Sequence, residues 1–438
     1  MPTDTLTRHT VELIAGATEP LPEIDEPAFG SFFDRFGDAR VVCLGEASHG
    51  TSEFYRARAA ITRRLIERHG FTMVAVEADW PDAAAIDRAV RGKPAPPEAE
   101  MPFRRFPTWM WRNAEFAAFL GWLRDYNRSA AAQVSFHGLD LYNMNASIEA
   151  VIGYLDRTDP EAASEARRLY GCLKPWKEQP AIYGRIALSE GYGRCEKAVV
   201  RMLRELFAKQ QSYVDGDPDA FIDAAQNARL IANAEAYYRA MYHGSAASWN
   251  LRDEHMADTL ALLLRWKGPD AKAVVWAHNS HIGDARFTDM GEQREELNLG
   301  QLVREAHGEE ARLIGFGTHA GTVAAADDWD APMKIKQVNP SRPDSYERLM
   351  HDSGVERFLL DLREGEHDEA REALMEQRLE RYIGVIYRPD TERWSHYSEA
   401  TLPKQYDAFV WFDRTQAVTA LPGAEEHGST DETWPFGL

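Results

Sequence analysis

Three cysteines in 438 residues, Cys43, Cys172 and Cys195, are too few and too odd a set for a disulfide framework, and they point to a reducing compartment. Cys43 lies inside an apolar run and reads as a small buried hydrophobe. No stretch approaches the ~18 consecutive apolar residues of a membrane span. The amino terminus, Met1-Pro2-Thr3-Asp4-Thr5, lacks a basic region followed by a hydrophobic core. A cytoplasmic protein with no membrane partner is expected. Basic surplus is missing too: 50 Lys and Arg stand against 70 Asp and Glu, a net charge of -20 that would repel nucleic acid. The pairs Arg63-Arg64 and Arg104-Arg105 read as solvated faces.

Several catalytic signatures are absent. There is no His-Glu-x-x-His and no Cys-x-x-Cys, so the common zinc motifs are missing. Gly50-Thr51-Ser52-Glu53-Phe54 lacks the second glycine of a nucleophile elbow, which argues against a serine hydrolase. Gly315-Phe316-Gly317-Thr318-His319-Ala320-Gly321 is one residue too long for a dinucleotide fingerprint and reads as a tight turn. Gly92-Lys93-Pro94 is no phosphate loop, and no internal repeat is found.

What is present suits packed cores: 44% apolar and 11% aromatic residues, an ordinary globular balance. At ~150 residues per domain the length predicts two or three units, or one large α/β domain with an insertion. Glu53 to His69 carries Phe54, Ala57, Ile61 and Leu65 on one helical face, with Thr51 or Ser52 as N-cap and Gly70 as stop. Strands are expected at 41–44, 73–76, 133–136, 273–277, 312–316, 358–360, 382–387 and 408–412. Most are continuous apolar runs, as parallel strands covered on both faces should be. Between Ala146 and Leu264 the period becomes helical. The expected fold is therefore α/β, a mostly parallel sheet flanked by helices. Residues 1–145 and 265–422 make its core, 146–264 form a helical insertion that is a lid or wall over the strand C-terminal ends, and 423–438 a polar tail.

Chemistry gathers where strands stop. Val41-Val42-Cys43-Leu44 runs into Gly45-Glu46-Ala47-Ser48-His49-Gly50, Met73-Val74-Ala75-Val76 into Glu77, and Ala273-Val274-Val275-Trp276-Ala277 into His278-Asn279-Ser280-His281. Ligands of open parallel sheets bind beyond those ends, so these groups are expected to converge. His49 is the candidate general base, since imidazole titrates near neutral pH and Glu46 or Glu77 could orient it. The helix after Gly50 would add its dipole to stabilise negative charge. Arg58, four residues after Phe54, points inward toward an oxyanion, or simply pairs with Glu46 or Glu77. His278 and His281, three apart, could with Glu77 hold a divalent ion. His319 and His396 read as structural. Aromatic clusters at Phe106 to Trp111 and Tyr242 to Trp249 would make an apolar wall, or ordinary core.

Taken together, these segments resemble the erythromycin esterase family. The resemblance is carried by Gly45 to Gly50, Glu53-Phe54 through Arg58, Val76-Glu77, Trp109-Met110-Trp111-Arg112-Asn113, Asn250-Leu251-Arg252-Asp253 with Met256-Ala257, and Ala277 to His281. It implies an ester or lactone hydrolase whose site is built from Glu46, His49, Arg58, Glu77, His278 and His281. His49 would activate water without a covalent intermediate, and no cofactor would be required. Substrate is expected to meet Trp109, Trp111, Trp249 and Arg252. Ala47-Ser48 and Asp79-Trp80-Pro81 look more like the broad branch of the family than its resistance enzymes. The residues leave two alternatives open: a divalent-metal hydrolase through His278, His281 and Glu77, and a protein that binds haem or another small molecule on the same scaffold.

Overall fold

The computed structural model describes residues 2–94, 102–174, 195–209, 217–242 and 245–421. The expected polar tail at 423–438 lies outside them. Among the described residues the strands are β1 (Glu19–Pro20), β2 (Val41–Leu44), β3 (Met73–Asp79), β4 (Ser135–Asp140), β5 (Ala273–Trp276), β6 (Ala311–Ala325), β7 (Lys334–Val338), β8 (Arg357–Asp361), β9 (Arg378–Arg381), β10 (Tyr397–Ala400) and β11 (Ala408–Thr415). The main sheet runs in the order β1-β8-β11-β6-β2-β5-β3-β4, with β7 on β6, and β9 and β10 form a separate pair. From β11 to β4 every pairing is parallel. Antiparallel pairs occur at β8 and β7.

The apolar runs are continuous because both faces of these strands are covered. Val41, Cys43, Met73, Ala75, Ala273 and Val275 bury themselves in one hydrophobic cluster. Val42, Leu44, Val74, Val76, Val274 and Trp276 bury themselves in the other. Helix Ser52–His69 covers the second face with Phe54, Ala57, Ile61 and Leu65. Gly70 ends it at φ 72, a left-handed position that costs glycine nothing. The first face is covered by helices Met144–Thr158, Pro218–Ala240 and Ser245–Lys267, whose Val151, Leu230, Met256 and Leu260 share a cluster with the sheet. Among the described residues, these helices lie between β4 and β5, in the stretch from Ala146 to Leu264 where the period is helical.

Register then decides where chemistry goes. Leu44 pairs with Trp276, and Trp276 with Val76, so β2 and β5 end level with Val76, where β3 leaves its pairing with β5 and runs on to Asp79, and β5 lies in the middle. Whatever follows each strand emerges beside the others.

Four expectations need correction. Cys172 and Cys195 are joined in a disulfide across 23 residues, with Cα atoms 5.9 Å apart. They follow helix Pro160–Tyr170 and cap helix Glu196–Ala208, which pack together. Only Cys43 is the free thiol expected, so the cysteine argument for a reducing compartment falls. The strand expected at 382–387 is not formed: the strand is the preceding β9, which ends at Arg381 and whose Glu380 and Arg381 are buried through hydrogen bonds rather than by apolar character. Ile383 and Ile386 make isolated bridges. The glycines from Gly315 to Gly321 do not turn the chain. A Cβ at Gly315 or Gly317 would lie 2.8 Å from Tyr406 or 2.7 Å from Phe409, so glycine here admits neighbouring rings to a straight β6. Finally, the start of helix Ser52–His69 is closed, since Ser52 N–H donates to the Gln416 carbonyl and Val418 N–H to that of Gly50. No helix among the described residues is long and apolar enough to cross a membrane.

Candidate active site

The turn after β2 is drawn tight at Gly45, where a Cβ would sit 2.1 Å from Asn279 Oδ1. It delivers Glu46 and His49 side by side. His49 Nδ1–H donates to Glu46 Oε1 at 2.9 Å, and Arg58 Nη2 donates to Glu46 Oε2 at 2.5 Å. Glu46 and Arg58 are fully buried and His49 nearly so. The Arg58 guanidinium lies over Tyr55 and Trp276, 4.5 and 5.0 Å from their ring centres. Of the two carboxylates left open by the sequence, Arg58 therefore takes Glu46. Because Nδ1 is engaged by a carboxylate, Nε2 is the nitrogen of His49 left for the cavity it lines. The 383–387 segment clamps this turn from behind: His49 N–H donates to Ile383 O, and Ile383 N–H to Ala47 O.

A second constellation stands beside it. Glu77, two residues before the end of β3, accepts from the backbone N–H of His278 at 2.8 Å and from Arg252 Nη2 at 2.8 Å. Arg252 also forks onto Asp140, at the end of β4, with Nε and Nη2 at 3.0 and 2.6 Å. Helix Asn279–Ile282 puts His281 one turn after His278. His281 Nδ1 lies 2.9 and 3.0 Å from the Asp253 carboxylate. Its Nε2 lies 2.8 Å from Arg252 Nη1 and 3.3 Å from Glu77 Oε1. His278 contacts Ser280 Oγ through Nδ1, leaves Nε2 buried without a hydrogen-bond partner, and stands 4.7 Å ring to ring from His49.

Charge in this cluster is set by neighbours as much as by burial. Burial works to raise the pKa of Glu77, yet His281, Arg252 and His49 hold it well below the usual carboxylate range. Burial and the adjacent His49 push His278 well down, so its ring is neutral. Burial also works against the charged form of His281, but Asp253 and Glu77 outweigh it and raise the pKa to about 9. The two contacts of His281 Nε2 thus belong to two states: charged, it donates to Glu77; neutral, it accepts from Arg252. Asp79, on the cavity wall, is pushed up to about 7 by burial and by Asp140 and Asp82, against the pull of Arg105.

The cavity holds about 790 Å³, part of it open to solvent. Its floor carries His49, Glu77, Asp140 and Arg252. Aromatic walls come from Phe103, Phe106, Trp111, Tyr142 and Trp329, and a polar rim from Asp79, Asp82 and Arg105. Among the residues assigned to substrate from the sequence, Trp111 and Arg252 line this space. Trp109 is buried edge-on to Phe106, and Trp249 stacks on His281 at 4.6 Å, so neither lines it. Asp140, Asp253 and Asp79 escaped sequence reasoning. The signals were there, an aspartate ending β4 and another adjoining Arg252, but single aspartates are common.

A divalent ion held by His278, His281 and Glu77 does not fit this arrangement. The Arg252 guanidinium already fills the place between Glu77 and His281 where a cation would go, and His278 turns Nδ1 to Ser280. Among the described residues no group of three or more His, Cys, Asp or Glu side chains is arranged to hold an ion.

Fold and site together define an α/β protein with a buried cluster of carboxylates, imidazoles and arginines at the carboxyl ends of parallel strands, beside helices inserted after β4. The family model described as erythromycin esterase matches residues 66–415, and the chain belongs to the erythromycin esterase family. It is 25% identical over 303 residues to erythromycin esterase type II of Escherichia coli, covering 66% of this chain and 71% of that one. With erythromycin esterase type I of Escherichia coli it shares 22% identity over 356 residues, 74% and 82% of the two chains. Among solved structures, one titled a succinoglycan biosynthesis protein matches with a TM-score of 0.76 at 22% identity, over 95% of this chain and 99% of that one. A mutant of the erythromycin esterase EreC in its open conformation matches with 0.66 at 18%, over 91% and 98%. At these identities the structural matches speak for the fold alone. The family relationship makes the chain a hydrolase resembling erythromycin esterases.

Proposed function

We propose that the chain hydrolyses an ester or lactone of a bulky, weakly polar small molecule through a water activated by His49, with no covalent enzyme intermediate. The observation that carries this reading is the buried relay Arg58–Glu46–His49, which ends at the cavity. Glu46 pins the His49 proton to Nδ1. Nε2 then takes a proton from water as the water oxygen attacks the carbonyl, and the imidazolium formed faces the Glu46 carboxylate. Arg252 is a cation on the cavity wall toward which the developing oxyanion is drawn. Collapse of the tetrahedral intermediate returns the His49 proton to the leaving alkoxide. A neutral His278 keeps a second positive charge away from that imidazolium. Ser280 lies 2.8 Å from His278 Nδ1, but neither residue lines the cavity, so an acyl-serine route lacks access.

The test is a panel of macrolides, simpler lactones and acyl esters offered to the wild type and to His49→Gln. Loss of a positioned general base is expected to lower kcat by about 10²–10⁴-fold. No burst of alcohol should precede steady state, and chelators should leave turnover intact. Equal turnover by His49→Gln on every substrate would remove His49 from the chemistry.

A further inference from the structure

One side chain outside the relay is held on three sides by a single helix. Trp249, Arg252 and Asp253 belong to helix Ser245–Lys267 at spacings of three and four residues, which puts them on one helical face. Trp249 stacks flat on the His281 ring, 4.6 Å away at 9°. Asp253 takes Nδ1 with both carboxylate oxygens, and Arg252 meets Nε2. Asp253 Oδ1 also accepts the Leu299 N–H at 2.8 Å, so the carboxylate is held by the start of helix Leu299–His307 as well. Asp253 and His281 are fully buried.

We propose that Asp253 is a positioning residue that fixes the His281 proton on Nδ1 and thereby makes Nε2 the nitrogen turned to Glu77 and Arg252. An ionised carboxylate can only accept, so an imidazole nitrogen facing both its oxygens carries the hydrogen. The stacked Trp249 keeps the ring from turning to exchange its nitrogens. His281 can then balance Glu77 only through Nε2, at 3.3 Å. With the proton on Nε2 alone, the neutral ring would aim it at Arg252 Nη1, donor against donor at 2.8 Å. The helix inserted between β4 and β5 thus sets the acid–base state of a residue delivered by β5. Sequence spacing gives no hint of that dependence.

The test uses the full chain labelled with 15N-histidine, with His281 assigned by the signal lost in His281→Gln. In the wild type, two-bond proton–nitrogen spectra are expected to show Nδ1 protonated at every pH at which the protein is folded. Asp253→Asn can still accept the Leu299 N–H, but its amide can donate to Nδ1, and the Nδ1–H population is expected to fall, against the opposing preference of Arg252 for an unprotonated Nε2. Asp253→Glu restores a carboxylate and should restore the Nδ1–H signal. The kinetic part rests on the hydrolytic reading: with a substrate from the panel, Asp253→Asn should lower kcat with KM nearly unmoved, by about 10- to 100-fold if the loss matches that for the carboxylate partners of metal-bound imidazoles. A wild-type ring whose only proton is on Nε2, or an Asp253→Asn ring with an unchanged Nδ1–H population, overturns the proposal. The wild-type spectrum decides even if the variant does not fold. Absence of ester turnover would count against the hydrolytic reading and leave the spectra to judge Asp253.

Discussion

The His49 flank and the His281 flank of the site are built from the same materials, an arginine, carboxylates and an imidazole, yet they are organised differently. On the first, Glu46, His49 and Arg58 come from thirteen consecutive residues and form a chain with a free nitrogen at one end. On the second, Glu77, Asp140, Arg252, Asp253 and His281 come from four separated segments and close into a network that occupies both imidazole nitrogens. An imidazole with one nitrogen free can move a proton. One engaged at both nitrogens serves as a charge that shapes the field around its neighbour. Under the proposed hydrolysis, proton transfer falls to the first flank and electrostatic framing to the second.

Stability separates the two flanks most strongly. Arg252 neutralises two buried carboxylates, so Arg252→Met, which strands Glu77 and Asp140, is expected to lower the unfolding free energy by about 3–5 kcal/mol in urea titration. Arg58→Met strands Glu46 alone and should cost less, while harming kcat more. A larger stability loss for Arg58→Met would reverse the ranking. Next comes pH. His281 is raised from 6.5 to about 9, so its contribution is complete below 6.5 and is lost as pH rises through about 9. Glu77 is lowered, so its contribution is present above 4.5 and lost as pH falls through its depressed value. The denaturation midpoint of the wild type should therefore decline between pH 6.5 and 9, and that decline should be weaker in His281→Gln. A parallel decline in both proteins would show that His281 is not the group responsible. The smallest effect is at the aromatic wall. Trp329 meets Phe106 edge-on at 5.2 Å, and Trp329→Ala should raise KM for bulky substrates about tenfold while sparing kcat. A change confined to kcat would place Trp329 in the chemistry.

The first flank was legible in the sequence because its partners are close along the chain. A strand stop at Gly45, an imidazole three residues after a carboxylate, and an inward arginine on the next helix sufficed to predict contact. Arg252 was placed against substrate by resemblance, but its grip on Asp140 was not foreseen, since β4 was expected to end at Phe136 and in fact runs on to Asp140. Asp253 was passed over because nothing in its spacing tells which strand end its helix will meet. Trp109 and Trp249 were expected at the substrate because aromatic clusters in apparent loops resemble a binding wall. Periodicity cannot distinguish a ring facing a cavity from one facing another ring. The disulfide was missed for the same kind of reason, as counting thiols says nothing of which helices pack together.

The amino-acid order alone marked most parallel strands of the main sheet and the helix after β2, since continuous apolar runs and a period of 3.6 residues are local properties, and it marked glutamates and histidines where those runs stop. It could not determine that β5 lies between β2 and β3, nor that one face of an inserted helix closes over the strand ends. Those outcomes depend on hydrogen-bond register and on the burial of residues hundreds of positions apart, and many orders of the same strands satisfy the same local pattern. Only the folded chain chose one, and in choosing it brought four buried carboxylates, two arginines and three imidazoles within reach of one another.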